Sequence, residues 1–142
     1  MSPEQLAKSG SEDGEQAAVF CWVREQIQMG RADYHLLEWA FFAIPNGGSR
    51  GSTKAHAMRV GARLKATGVK AGVSDMALMI PRHNLHGLFI ELKKSPTFGG
   101  KPTDASPKQL EFGEAMLELG YGFCVCCGWV EAVRVIEEWM GT

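Results

Sequence analysis

Apolar residues recur along the chain with two periods, and the switches between them outline the elements. Over residues 12–29 the spacing predicts a helix, with Ala18, Val19, Trp22 and Val23 on one stripe. Glu15 falls near the middle of that stripe, an unusual place because burying an unpaired charge is costly. Its position in the first turn softens the point, since a helix N-terminus favours an acid. "WAFFAIPNGG" reads as a strand stopped by Pro45 and an Asn-Gly-Gly turn signal. Thr53 is placed to N-cap a short helix to about Thr67, with Gly68 as its stop. Ala57, Gly61 and Leu64 of that helix would face inward, and Arg59 and Arg63 would share another face.

"GVSDMALMIPRHNLHGLFIELKK" (72–94) predicts a hairpin with strands over 74–81 and 87–94. A Pro/Gly-rich loop follows. "SPKQ" then opens a helix, with Ser106 as N-cap, Pro107 first and Gln109 third, and Gly120 ends it. "YGFCVCC" is a strand, and residues 129–140 form a last amphipathic helix through Val133, Ile136 and Met140. The predicted order is α-β-α-β-β-α-β-α, an α/β fold with a mixed central sheet between helices. Residues 1–11 read as a loose tail and 12–142 as a single domain.

Composition changes this picture little, but charge distribution does. The 142 residues are 45% hydrophobic and carry a net charge of −1. No apolar run reaches the roughly 20 residues of a membrane span, and the first residues lack a secretory pattern. A cytoplasmic, non-secreted protein is expected. Cys21, Cys124, Cys126 and Cys127 lack the paired spacing of a zinc site and read as small core side chains. Residues 39–74 contain no Asp or Glu, yet carry Arg50, Lys54, Arg59, Arg63, Lys65 and Lys70. Residues 104–142 carry seven acids against Lys108 and Arg134. The basic segment suits either a polyanion partner or a solvated helix face.

Charge also gathers at one end of the hairpin. Side chains alternate along a strand, so Leu88, Ile90 and Leu92 face one way while Phe89, Glu91 and Lys93 face the other. With a turn near residue 83 or 84, Asp75 falls opposite Glu91 or Lys93. Neighbouring carboxylates resist joint ionisation unless compensated. A divalent cation such as Mg²⁺ compensates them and equips the site for phosphodiester chemistry, with Lys93 as a mobile positive charge. A plain salt bridge from Lys93 to the two acids fits the spacing equally well.

The residues just quoted, "GVSDMALMI", "GLFIELKK" and "SPKQLEFGEAMLELGYGFCVCCGWVEAVRVI", together with "EQAAVFCWV" and "AIPNGGSR", resemble the VRR-NUC branch of the PD-(D/E)xK nuclease superfamily, in its small stand-alone, virus-type form. The resemblance spans nearly residues 12–140 and departs at Ser74, where the superfamily name expects Pro. It implies a restriction-endonuclease-like core, with Asp75, Glu91 and the Leu92 carbonyl as metal ligands and Lys93 as catalytic lysine. Glu15 matches the N-terminal helix acid approaching the same metal, with Glu12 its rival. Gln109 matches a catalytic-site glutamine, although a capping box accounts for it too.

The function expected is a Mg²⁺- or Mn²⁺-dependent endonuclease acting on DNA. Arg50, Lys54, Arg59, Arg63 and Lys70 are the candidate phosphate contacts. No base-reading motif is visible, which favours selection of DNA structure, such as flaps or four-way (Holliday) junctions. The resemblance extends to junction resolvases, whose symmetric cutting implies a homodimer. Trp39, Phe41 and Phe42 are the apolar candidates for its interface, unless they are core. The alternative is a nucleic-acid-binding module that kept the fold and lost catalysis. A P-loop is disfavoured, since "NGGSRGSTK" lacks the GxxxxGK[ST] order.

Overall fold

The computed structural model describes residues 1–45 and 54–141, without the side chains of Lys54 and Ala57. Arg50, Thr53 and the glycine-rich loop around them lie outside the described residues.

Helix α2 (Glu12–Gln28) begins where Ser11 accepts the Gly14 N–H at 3.0 Å, with Glu12, Asp13 and Glu15 against its positive end. Its buried face is Glu15, Ala18, Val19, Val23 and Gln26; of the predicted stripe Trp22 is only half-buried, against the edge of the core, and Gln26 joins it. The first eleven residues, expected to be a loose tail, instead contain a helical turn, α1 (Pro3–Leu6). Ser2 and Gln5 close a capping box around it, and Pro3 and Ala7 are buried. "SPEQ" here repeats the signature of "SPKQ", which opens α5 (Pro107–Glu118) with the same reciprocal bonds.

"WAFF" is not a continuous strand. Leu37 and Phe41, one helical turn apart, are both buried, so the chain turns through α3 (Leu37–Ala40) before the short strand β1 (Phe41–Ala43). Phe41 stacks on Phe20 at 4.5 Å between ring centres and belongs to the core, so it is not free for an interface. Trp39 and Phe42 remain 88% and 44% exposed.

The hairpin strands are β2 (Met76–Leu78) and β3 (Leu88–Lys93), shorter than predicted. Between them Arg82 and Leu85 exchange main-chain hydrogen bonds across His83 and Asn84, whose φ angles are 55° and 61°. Two successive left-handed residues make a tight turn whose twist matches the strands it joins. The sheet runs β1-β2-β3-β4, with β4 (Gly122–Cys127) parallel to β3 and the other pairs antiparallel. It is the mixed sheet the pattern predicts.

Helices α2 and α6 (Trp129–Met140) bury Val19, Val23, Val133 and Ile136 against Leu88, Ile90, Leu92 and Cys126 on one face. On the other, α5 sets Phe112 edge-on to Phe89 at 5.2 Å and Gly113 directly over the Phe123 ring. Helix α4 (Lys54–Ala66) differs: none of its described side chains is buried, and Gly61 and Leu64 are only half-covered.

Candidate active site

The observed register, Met76 opposite Ile90, extends to set Asp75 across from Glu91. Asp75 immediately precedes β2, and its carbonyl accepts the Ile44 N–H at 2.8 Å, which ties it to the chain beyond β1. Its Oδ2 accepts the Leu92 N–H at 2.8 Å, so the carboxylate lies along β3. Glu91 is 1% exposed, a very unusual setting for an acid. Its Oε1 accepts from the Gln109 amide and lies 3.6 Å from the Lys93 Nζ. Its Oε2 is buried with no hydrogen-bond partner among the described residues. Asp75, Glu91, Lys93 and Gln109 are thus brought together.

Burial sets the electrostatics. It raises the Asp75 pKa, against the opposing pull of the Leu92 N–H and the Lys93 charge. Glu91 is pushed up to about 7, first by burial and then by the charge of Asp75, with Lys93 opposing. Two carboxyls so placed share a proton near neutrality rather than ionising together.

Gln109 makes two contacts, one in the capping box and one to Glu91. Its Oε1 accepts the Ser106 N–H at 2.8 Å in the capping box, and its Nε2 donates to Glu91. Pro107 at the first helical position lacks an N–H where none is needed, so helix start and site share one side chain.

Glu15 has a hydrogen-bond partner of its own. Its carboxylate, 2% exposed, accepts the Trp129 N–H at 2.7 Å through Oε2. Helix α6 starts after Gly128, which has no side chain to cap it, and Glu15 supplies that cap from a distant element. The described residues contain no group of three His, Cys, Asp or Glu side chains placed to hold a metal. The α2 charges that do bear on the pair are Glu12, acting on Glu91, and Asp13, acting on Asp75. The sequence does carry a signal for the true partner: "CCGWVE" opens a helix without Ser, Thr, Asp or Asn.

Arg59, Arg63, Lys65 and Lys70 are exposed, while Arg50 and the Lys54 side chain lie outside the described residues. The cysteines are free; Cys126 and Cys127 are buried, and Cys124 Sγ lies 3.7 Å from Cys126 Sγ. No helix among the described residues is long and apolar enough to cross a membrane.

No protein-family model and no curated protein matches the chain. A solved VRR_NUC domain protein is similar to it, with 28% sequence identity and a TM-score of 0.67 over 92% of this chain and 88% of that one. Sheet order, flanking helices and this likeness agree: the chain is a VRR-NUC domain, of a nuclease family, with the restriction-endonuclease-like α/β fold.

Proposed function

We propose that the protein is a metal-dependent endonuclease that hydrolyses DNA phosphodiester bonds and selects its substrate by DNA structure. The observation that carries this reading is the unpartnered, buried Oε2 of Glu91 beside Asp75 and Lys93. A buried carboxylate oxygen without a donor is costly, and a hard divalent cation is the group that satisfies it. Asp75, Glu91 and the Leu92 carbonyl would hold Mg²⁺ or Mn²⁺, joined from α2 by Glu12, whose charge bears on Glu91, or by Glu15. Such an ion supplies positive charge to a phosphodiester oxygen and acidity to water.

The chain's own groups do the rest. The Leu92 N–H fixes Asp75, and Gln109 fixes Glu91, so neither carboxylate reorients as the reaction proceeds. Lys93, only 12% exposed and tethered to Glu91, directs an ammonium to the water that attacks or to the charge growing on phosphorus. The exposed arginines of α4 and Lys70 hold the DNA backbone without reading bases. Symmetric cutting of branched DNA needs two such sites, which favours a homodimer.

Duplex, flap, splayed and four-way-junction DNAs incubated with Mg²⁺ or Mn²⁺ test the reading. Cutting is expected, with a loss of at least about a thousandfold in Asp75→Ala and Lys93→Ala while binding persists. Tight binding by the unaltered protein with no cutting under either metal would overturn it and leave a binding module.

A further inference from the structure

The fold carries a second feature that this chemistry does not use. A pocket of about 390 Å³ is lined by Glu15, Ser95, Phe98, Gly128 and Trp129, with the exposed Glu4 at its edge. That volume falls in the roughly 300–1,000 Å³ range of small-ligand sites. The backbone links its lining to the strand that carries Glu91 and Lys93: the Gly128 N–H donates to the Lys93 carbonyl at 2.9 Å, and Ser95 follows Lys93 by two residues.

The lining has a particular chemistry. Glu15 is 2% exposed and receives one hydrogen bond, from Trp129, through Oε2; its Oε1 has no hydrogen-bond partner among the described residues. Phe98 is 48% exposed and its ring lies on Gly10, where a side chain would collide with it. Trp129 is half-buried. The pocket therefore offers aromatic surface and a carboxylate acceptor, and no Lys or Arg lines it. A phosphate is repelled there, whereas a neutral planar ring bearing N–H donors is suited to it.

The geometry points to a nucleobase subsite: an unpaired guanine stacks against Phe98 and Trp129 and donates its N1–H and 2-amino group to Glu15. Guanine is singled out because it carries two adjacent donors on one edge, which converge on the unpartnered Oε1 while Oε2 keeps the Trp129 N–H. Lys93 and Lys94 immediately precede Ser95 of the pocket lining in the chain, and they are the cations proposed to hold the sugar-phosphate chain of that nucleotide. This inference rests on the nuclease reading and extends it, since a site that accepts an extruded base prefers DNA with unpaired nucleotides near the cut.

Nucleoside binding tests it without any cleavage step. Guanosine, inosine, adenosine and thymidine are titrated into the full-length protein, and tryptophan fluorescence is followed, with the signal assigned by its loss in Trp129→Phe. Guanosine is expected to bind about tenfold more tightly than thymidine and several-fold more tightly than inosine, which lacks the 2-amino group. Glu15→Gln keeps an oxygen for the Trp129 N–H but presents an NH₂ group to the pocket, so the preference for guanosine should vanish. Phe98→Ala, which leaves the carboxylate untouched, should weaken all four nucleosides about tenfold. No binding, equal binding of all four, or a guanosine preference that survives Glu15→Gln overturns the subsite. So does competitive displacement of guanosine by Mg²⁺, which would mark a cation site. A protein that cuts DNA and ignores nucleosides loses only this inference; one that binds guanosine and never cuts loses only the nuclease reading.

Discussion

Because the Gln109 oxygen is committed to the Ser106 N–H, only its NH₂ group can face Glu91. That leaves Glu91 with one satisfied oxygen and one bare one, in a setting that pushes its pKa from the ordinary 4.5 to about 7. The folded protein therefore keeps a proton that the unfolded chain has released between these two values. Stability should fall as pH rises from about 4.5 to 7, by at most roughly 3 kcal/mol for a shift of this size. Melting temperatures measured without metal over that window should decline in the unaltered protein relative to Glu91→Gln. If Mg²⁺ binds this pair as proposed, it competes with the same proton, and the stabilisation it gives should be larger at pH 8 than at pH 6. At this scale Asp75, Glu91 and Lys93 were legible because a strand has a period of two and a tight turn has few choices of centre. Glu15 was legible as an anomaly but not in its role. Its partner is a main-chain N–H that no side-chain pattern displays.

Among the elements, α5 is the one whose position the site depends on. Gly113 lies one turn beyond Gln109 and rests on the Phe123 ring of β4, where a methyl group would overlap the ring. Gly113→Ala should lift the helix from the sheet, destabilising the protein by about 1–3 kcal/mol. Cleavage should fall more than folding does, because Gln109 moves with the helix. Rates measured well below the variant's melting temperature separate the two effects. The start of α5 was legible in "SPKQ", and the same four-residue logic in "SPEQ" passed unread only because no apolar periodicity follows it. The aromatic run 39–42 misled for a related reason. Its alternation is absent, and the burial of Leu37 with Phe41 follows a helical spacing instead.

For the molecule as a whole, the basic residues of α4 and the exposed aromatic pair Trp39 and Phe42 sit on different elements. Helix α4 exposes Arg59 and Arg63 with no acid in its sequence, on a protein whose net charge is −1. Replacing both by Glu should weaken DNA binding at least about tenfold and flatten its dependence on salt, as fewer counterions are released. Fluorescence anisotropy over a KCl series reads both. Trp39 precedes the edge strand β1 and Phe42 lies within it, where a strand edge left open among the described residues and apolar side chains invite a second copy. If the proposed dimer forms there, Trp39→Glu sediments as a monomer; a dimer that survives places the interface elsewhere. The layered α/β plan was legible from the order of periods alone, whereas the half-covered state of α4 was not, since its apolar spacing resembles that of a packed helix.

The hydrogen bond from Trp129 to Glu15 joins positions 114 apart in the chain. Its timing during synthesis is then constrained. A ribosome that has already delivered Asp75, Glu91, Lys93 and Gln109 has not yet made β4, which flanks β3, nor α6, which closes over α2. At roughly 5–20 residues per second the wait is a few seconds. Throughout it the carboxylates hang on an unfinished sheet. The assembled site arrives late and all at once, so interrupted translation products should be harmless to the DNA around them.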